Sequence, residues 1–152
     1  MSTFQPSDPD YADRVRASFD RQRVMATIGA ELVTLEPGLC TIELPFREDL
    51  TQQHGFLHAG IATTIADSAG GYAAFTLMPA DSAILAVEFK VNLLSPAKGV
   101  RFRATGRVQR AGKRLSVCAL EVVAIDEAGE EKAVLTGLQT SIQLPTTTGL
   151  EG

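Results

Sequence analysis

Between Ile61 and Leu77 the chain sets Ile61, Ile65, Ala69, Ala73 and Leu77 in one four-residue row and Ala62, Ala66, Gly70 and Ala74 in the row beside it. Steps of four run along one side of an α-helix, and two adjacent rows make a wide apolar face. The second row is alanine or glycine throughout, so whatever covers it must bring its own backbone very close. Gly70 and Gly71 would each cost an isolated helix about 1 kcal/mol, a loss that only tertiary packing can offset. The chain is therefore expected to hold a central helix inside a curved sheet. One charge interrupts the segment: Asp67, in line with Thr63 and Gly71, is the only charged side chain between His58 and Asp81.

The rest of the chain supplies the wrapping. Residues 1–9, with two prolines, read as a loose lead-in. Asp10 is placed to cap a helix running to about Ile28, with Val15, Phe19, Val24 and Ile28 inward, Arg14, Arg16, Arg21 and Arg23 mostly outward, and Gly29 at its end. AELVTLE and LCTIELPF, divided by Pro37-Gly38, read as a β-hairpin. After the central helix come four strands. ILAVEFKVNLL alternates Val87, Phe89, Val91 and Leu93 with Glu88, Lys90 and Asn92, and RFRATGRVQ alternates Phe102, Ala104, Gly106 and Val108 with polar residues. The connections SPAKG, RAGKR and DEAGE are short and contain glycine, so the four strands are expected to form a hairpin-linked meander. RLSVCALEVVAI and KAVLTGLQTSIQL are apolar on two sides for part of their length, which suggests a second subunit on the outer face. The tail TTTGLEG is expected to fray. The fold class is α+β: an antiparallel sheet of about six strands around one long central helix, with a short helix in front. Residues 1–24 form the lead-in and first helix, 25–145 the single domain, and 146–152 a flexible tail.

At 152 residues the chain can bury one proper core. Its net charge of −4 argues against a nucleic-acid partner, which would call for a basic face. Cys40 and Cys118 lie in expected strands without CxxC or histidine spacing and read as reduced core thiols. No apolar run reaches the length of about 18 residues that a membrane span needs. A soluble, cytoplasmic protein without a membrane partner is expected.

The chemistry concentrates at the start of the central helix. A helix N-terminus offers unpaired N–H groups and a positive dipole end, which suit an oxyanion, and His58, Ala59 and Gly60 sit there. Asp67 lies eight residues beyond Ala59, about 12 Å along the axis. One carbonyl carbon cannot reach both, so a reaction using both needs two copies of the chain related by a two-fold axis. His54, His58 and Asp67 are poorly spaced for a metal, and none is expected.

HAGIATTIAD, with its lead-in QQHGFL, resembles the active-site segment of the PaaI-type acyl-CoA thioesterases, typically Asn-x-x-Gly-x-x-His-Gly-Gly followed by Leu-Ala-Asp or Leu-Ala-Glu. VEFKVNLLSPAKG is similar to that family's strand after the helix, and the resemblance covers about residues 25–144. It implies the hotdog fold and hydrolysis of an acyl- or aryl-acyl-CoA by water, with no cofactor beyond the coenzyme A of the substrate. It further implies a homodimer with shared sites that pairs again into a homotetramer.

The resemblance also implies roles. The Ala59 N–H, with Gly60 beside it, meets the thioester oxygen; His58 orients that loop or caps the helix. Asp67 acts as general base on water or as nucleophile on the thioester. Gln52 stands in the place of the motif's asparagine, with Gln53 as an alternative. Gly55, Phe56 and Thr63 border the substrate, and the acyl pocket lies near Phe56, Leu57, Ile61 and Tyr72. Arg110, Lys113 and Arg114 of the basic loop, helped by Asn92 and Lys98, meet the phosphates of coenzyme A. Ala86 occupies a strand position where some members carry a hydroxyl that holds the water. A non-catalytic acyl-CoA-binding protein and a hydratase or dehydratase of the same fold are the alternatives.

Overall fold

The small-residue rows form α3 (Ala59–Phe75), and a six-stranded antiparallel sheet curls round it in the hotdog arrangement. The computed structural model describes residues 4–152. In chain order the other elements are α1 (Tyr11–Arg21), α2 (Arg23–Ile28), β1 (Glu31–Glu36), β2 (Leu39–Pro45), β3 (Ser82–Leu93), β4 (Arg101–Ala111), β5 (Leu115–Ile125) and β6 (Glu131–Pro145). Ala62, Ala66, Ala69, Ala73 and Ala74 are buried against a core that includes Ile42, Leu44, Phe102 and Leu120. No helix among the described residues is long and apolar enough to cross a membrane.

The close approach demanded by the small row occurs at Gly106 of β4. A Cβ there would run into the carbonyl group of Ala69 and the main-chain nitrogen of Gly70. Sheet backbone and helix backbone therefore touch without side chains between them, and this contact sets the depth of α3 in the sheet. Replacing Gly106 with alanine forces the two apart. Overpacking of this kind costs about 1–3 kcal/mol, so a urea melt should show a lower midpoint with an unchanged slope.

The strand order is β1-β2-β4-β5-β6-β3. Only β4, β5 and β6 form the expected meander. β3 pairs with β6 at the far edge and not with β4, so SPAKG is a crossing segment and not a hairpin loop. Its bonds explain the route. Leu94 N–H donates to Val134 O, Ser95 Oγ to Ala133 O and Val100 N–H to Ile125 O, and Ala97 O accepts from Leu57 N–H just before α3. The crossing thus ties the end of the sheet to the entry of the central helix.

β3 is the second departure. A bulge between Ala86 and Glu88 carries the register from Ala86 opposite Ser141 to Phe89 opposite Gln139, so Ala86 and Phe89 both face α3 and Val87 drops out of the alternation. The helix-side residues of this strand are nevertheless open: Phe89 is 46% and Leu93 59% exposed, and the bulged Val87 is 57% exposed. α3 lies mainly over β2, β4 and β5 and leaves the far part of β3 uncovered.

The N-terminal part also differs from expectation. The first helix breaks at Gln22, whose backbone leaves helical geometry while its side chain accepts from Ser68 Oγ on α3 at 2.7 Å. Val24 is consequently exposed, not inward. Asp10 makes no side-chain cap; Asp8 accepts from Asp10 N–H and from Arg14 Nε. Arg14, expected outside, lies over the Phe75 ring and donates to the carbonyl of Phe75, the last residue of α3, and to that of Met78 just beyond it. The described part of the lead-in is packed, with Ser7 Oγ on Leu77 O and Phe4 against Gly38; residues 1–3 lie outside the described residues. The last residues do not project freely: Thr146–Thr148 make a short 3-10 turn, and Gly152 lies against Phe75 and accepts from Arg21.

Candidate active site

The site is built outward from the two ends of one helical segment. His58 has extended backbone geometry and caps α3, its Nδ1 accepting from Gly60 N–H at 2.8 Å. His58 O accepts from Ile61 N–H and Ala62 N–H. In this first turn the N–H of Ala59 alone has no acceptor among the described residues. His58 is thus a cap that shapes the turn. The N–H of Gly60 is taken by His58, which removes Gly60 from the oxyanion donors expected there. The Ala59 N–H remains, at the positive end of a 17-residue helix.

A cavity of about 280 Å³ opens at this point, lined by Gln52, Phe56, Leu57, Ala59, Ala62, Leu93, Ser95 and Val134 among others. Phe56 and Leu57 lie there as expected. Gln52 reaches the cavity, but its side-chain oxygen accepts from His54 N–H and closes the local turn that contains Gly55 at φ +79°. Gln53 is exposed and contacts the His54 ring, outside the cavity lining. Of the two glutamines, Gln52 is the one at the site. Thr63 donates its hydroxyl proton to Ala59 O at 2.8 Å and lines neither this cavity nor the one at Asp67.

Asp67 sits two turns further on, in a second cavity of about 180 Å³. Gln139 of β6 donates Nε2 to Asp67 Oδ1 at 2.5 Å and to the main-chain oxygen of Asp67 at 3.0 Å. Desolvation raises the carboxyl above the ordinary aspartate range, and the Gln139 hydrogen bond works against that rise. Tyr72, Ser68, Ile84, Ala86 and Ser141 line the same cavity, and a Cβ at Gly71 would meet nothing within 4 Å. Ala86 offers no polar atom, but Ser141 directly opposite it on β6 does, and its Oγ is buried without a partner among the described residues. Tyr72 thus borders the carboxylate and not the Phe56 pocket.

Gln139 and Ser141 were absent from the sequence reading. A signal existed: the helix-side positions of β6 run Gly137, Gln139, Ser141, while the opposite face carries Leu138 and Ile142. A strand whose inward set is the more polar one marks a face used for chemistry.

The basic loop lies elsewhere. Lys113 and Arg114 border a cleft of about 860 Å³ with Phe4, Leu77, Pro79 and Asp81, at the far end of α3 from Ala59. Arg110 does not line it. Asn92 is on the outer face, opposite Thr136, where it accepts from Lys90 Nζ at 2.7 Å. Neither the basic loop nor Asn92 lines the cavity at Ala59 of the same protomer. Among the described residues no three His, Cys, Asp or Glu side chains come together as a metal site. Cys40 and Cys118 are unpaired and buried, and burial pushes both thiols up to about 12.

A wrapped central helix with a bare N–H at its start and a desolvated carboxylate two turns along is an arrangement suited to hydrolysis of activated acyl groups. Residues 54–130 match the family model of the thioesterase superfamily, and the chain belongs to that superfamily. It is a thioester hydrolase. It is 50% identical to a thioesterase family protein of Silicibacter pomeroyi, with a TM-score of 0.87 over 89% of this chain and 98% of that one. The PaaI protein of the Escherichia coli phenylacetic acid degradation operon shares the fold at 18% identity, TM-score 0.78, over 89% of this chain and 94% of its own. The 1,4-dihydroxy-2-naphthoyl-CoA hydrolase of Listeria monocytogenes is 27% identical over 96 residues, 63% of this chain and 78% of the relative.

Proposed function

We propose that the protein hydrolyses acyl- or aryl-acyl-CoA thioesters in the cytoplasm, at two sites shared between the protomers of a homodimer. The observation that carries this reading is the placement of the free Ala59 N–H and the desolvated Asp67 on one helix, about 12 Å apart along its axis. A dyad that runs α3 antiparallel to its copy sets each Ala59 against the other protomer's Asp67. The bare strand β3 supports such a pairing: it is long, its edge is open, and Val87, Phe89 and Leu93 are exposed, which is the pattern of a sheet that continues into a second copy. On the outer face Leu85, Ile142 and Leu115 stand in one row across β3, β6 and β5, with Leu138 nearby. That row supports a second pairing into a homotetramer.

In the shared site, Asp67 of one protomer takes a proton from water while the water oxygen attacks the thioester carbonyl carbon. The carbonyl oxygen gains charge against Ala59 N–H of the other protomer. Collapse of the adduct breaks the C–S bond, and the sulfur leaves with the proton as free thiol. Lys113 and Arg114, remote from their own Ala59, are placed to meet coenzyme A phosphates bound across the dyad.

Free-thiol release from a panel of alkyl- and aryl-acyl-CoAs tests the reading, with turnover expected for at least one aryl member. Binding without turnover would select a carrier, and loss of an enoyl-CoA's conjugated absorbance a hydratase. In the same assay a Lys113→Glu/Arg114→Glu variant is expected to raise KM roughly tenfold and to flatten its salt dependence, with kcat little changed.

A further inference from the structure

Gln139 is 1% exposed beneath α3, yet its amide is only half satisfied. Nε2 donates twice, both times to Asp67, at 2.5 Å to Oδ1 and 3.0 Å to the main-chain oxygen. Oε1 has no partner among the described residues. A buried acceptor left bare costs stability, and a methionine of similar shape would avoid that cost. Packing therefore does not explain a glutamine at this position.

The helix is cut to receive it. A Cβ at Gly70 would run into Gln139 Oε1 and Leu120 Cδ2, so alanine, the better helix former, would press on the amide and on the leucine beside it. Gly70, the bare position above the amide, is the third residue after the acid it holds. Double attachment to main-chain and carboxylate oxygens of the same residue fixes the rotamer of Asp67, a constraint that an apolar neighbour cannot supply.

We infer that Gln139 is a positioning residue for thioester hydrolysis: its amide pins Oδ1 of Asp67, leaves Oδ2 as the oxygen that takes the proton from water, and is admitted by the notch at Gly70. This rests on the reading of Asp67 as the base. The hydrogen bond also favours the carboxylate over the acid, opposing desolvation. Other titratable groups lining the cavity are Tyr72 on α3 and Glu151 in the C-terminal segment; α1 brings Ser18, β3 brings Ile84 and Ala86, and β6 brings Ser141 beside Gln139, none of them charged.

The test is Gln139→Met, with Gln139→Leu as a second apolar variant, assayed beside Asp67→Asn for thiol release across pH and for thermal melting. Loss of the donor is expected to lower kcat roughly 10- to 100-fold, as small misplacements of a reacting group do, with KM moved less than about threefold. The acid limb of the rate profile should move to higher pH, while Tm stays level or rises. If Asp67→Asn is inactive and both apolar variants keep wild-type kcat and an unshifted acid limb, Gln139 is only a packing residue and this inference fails while the role of Asp67 stands. If Asp67→Asn turns over as wild type, the reading of Asp67 fails and the inference falls with it.

Discussion

An Asp67→Asn protein is expected to fold, to melt at a higher temperature than wild type at neutral pH, and to release thiol roughly 10²- to 10⁴-fold more slowly. The two effects share one cause. Asparagine keeps the shape and still accepts from Gln139 Nε2, so the cavity is preserved. Burial disfavours the charged form of Asp67 and raises its pKa in the fold. A group whose folded pKa is raised contributes stability that is fully present below its unfolded pKa and lost as pH rises through the folded value. At neutral pH the ionised carboxylate therefore burdens the fold, and the amide does not. A gain of about 1 kcal/mol would raise Tm by roughly 2–4 °C in a chain of this size. The difference in Tm between wild type and variant should shrink toward zero below the ordinary aspartate range. In the wild type the acid limb of kcat/KM should lie above that range, because the base must be ionised. A folded variant with undiminished turnover would remove Asp67 from the mechanism.

The second large effect is expected from Ala59→Pro, which deletes one proton donor and little else. Ala59 is the first residue of α3, the position where proline's fixed φ suits a helix and its missing N–H breaks no helical bond. His58 before it has φ −61° and ψ 135°, a conformation that proline accepts in its predecessor. The oxyanion loses its main-chain donor, a loss of about 10²- to 10³-fold in kcat. Co-refolding this variant with Asp67→Asn then reads the sharing of sites directly. Each homodimer lacks one group in both sites, whereas each heterodimer has one intact site and one doubly impaired site, so an equal mixture should regain about a quarter of wild-type activity. Recovery would be impossible if both groups served a site within one protomer. Activity that stays at the level of the parents at every mixing ratio would refute the two-fold arrangement.

Much of the fold was legible because it rests on local periodicity. The four-residue rows of α3, the Pro37-Gly38 turn and the alternation in β4 each carry their own signal. What was not legible is non-local. SPAKG has the composition of a hairpin loop, and only its bonds to Val134, Ala133 and Ile125 send β3 to the other side of the sheet. The bulge at Val87 leaves no mark in the sequence, so the faces of β3 were misassigned on its N-terminal half. Arg14 looked like a surface charge because helical spacing cannot show that carbonyls of Phe75 and Met78 lie within its reach. At the site, Ala59 and Asp67 stood out by motif and by isolation. Gln139 did not, since β6 mixes Thr136, Thr140, Ser141 and Gln143 among its apolar residues, and only the pairing register shows which of its two faces meets α3.

Because α3 is a single stiff rod seated against Gly106, its two chemical groups cannot be adjusted separately. In the proposed dimer each rod would lend its tip to one reaction centre and its middle to the other. A bulky acyl group that nudges one rod along its axis displaces a member of the neighbouring centre by the same vector. That proposal therefore carries a corollary: a ligand in the first centre would be felt in the geometry of the second.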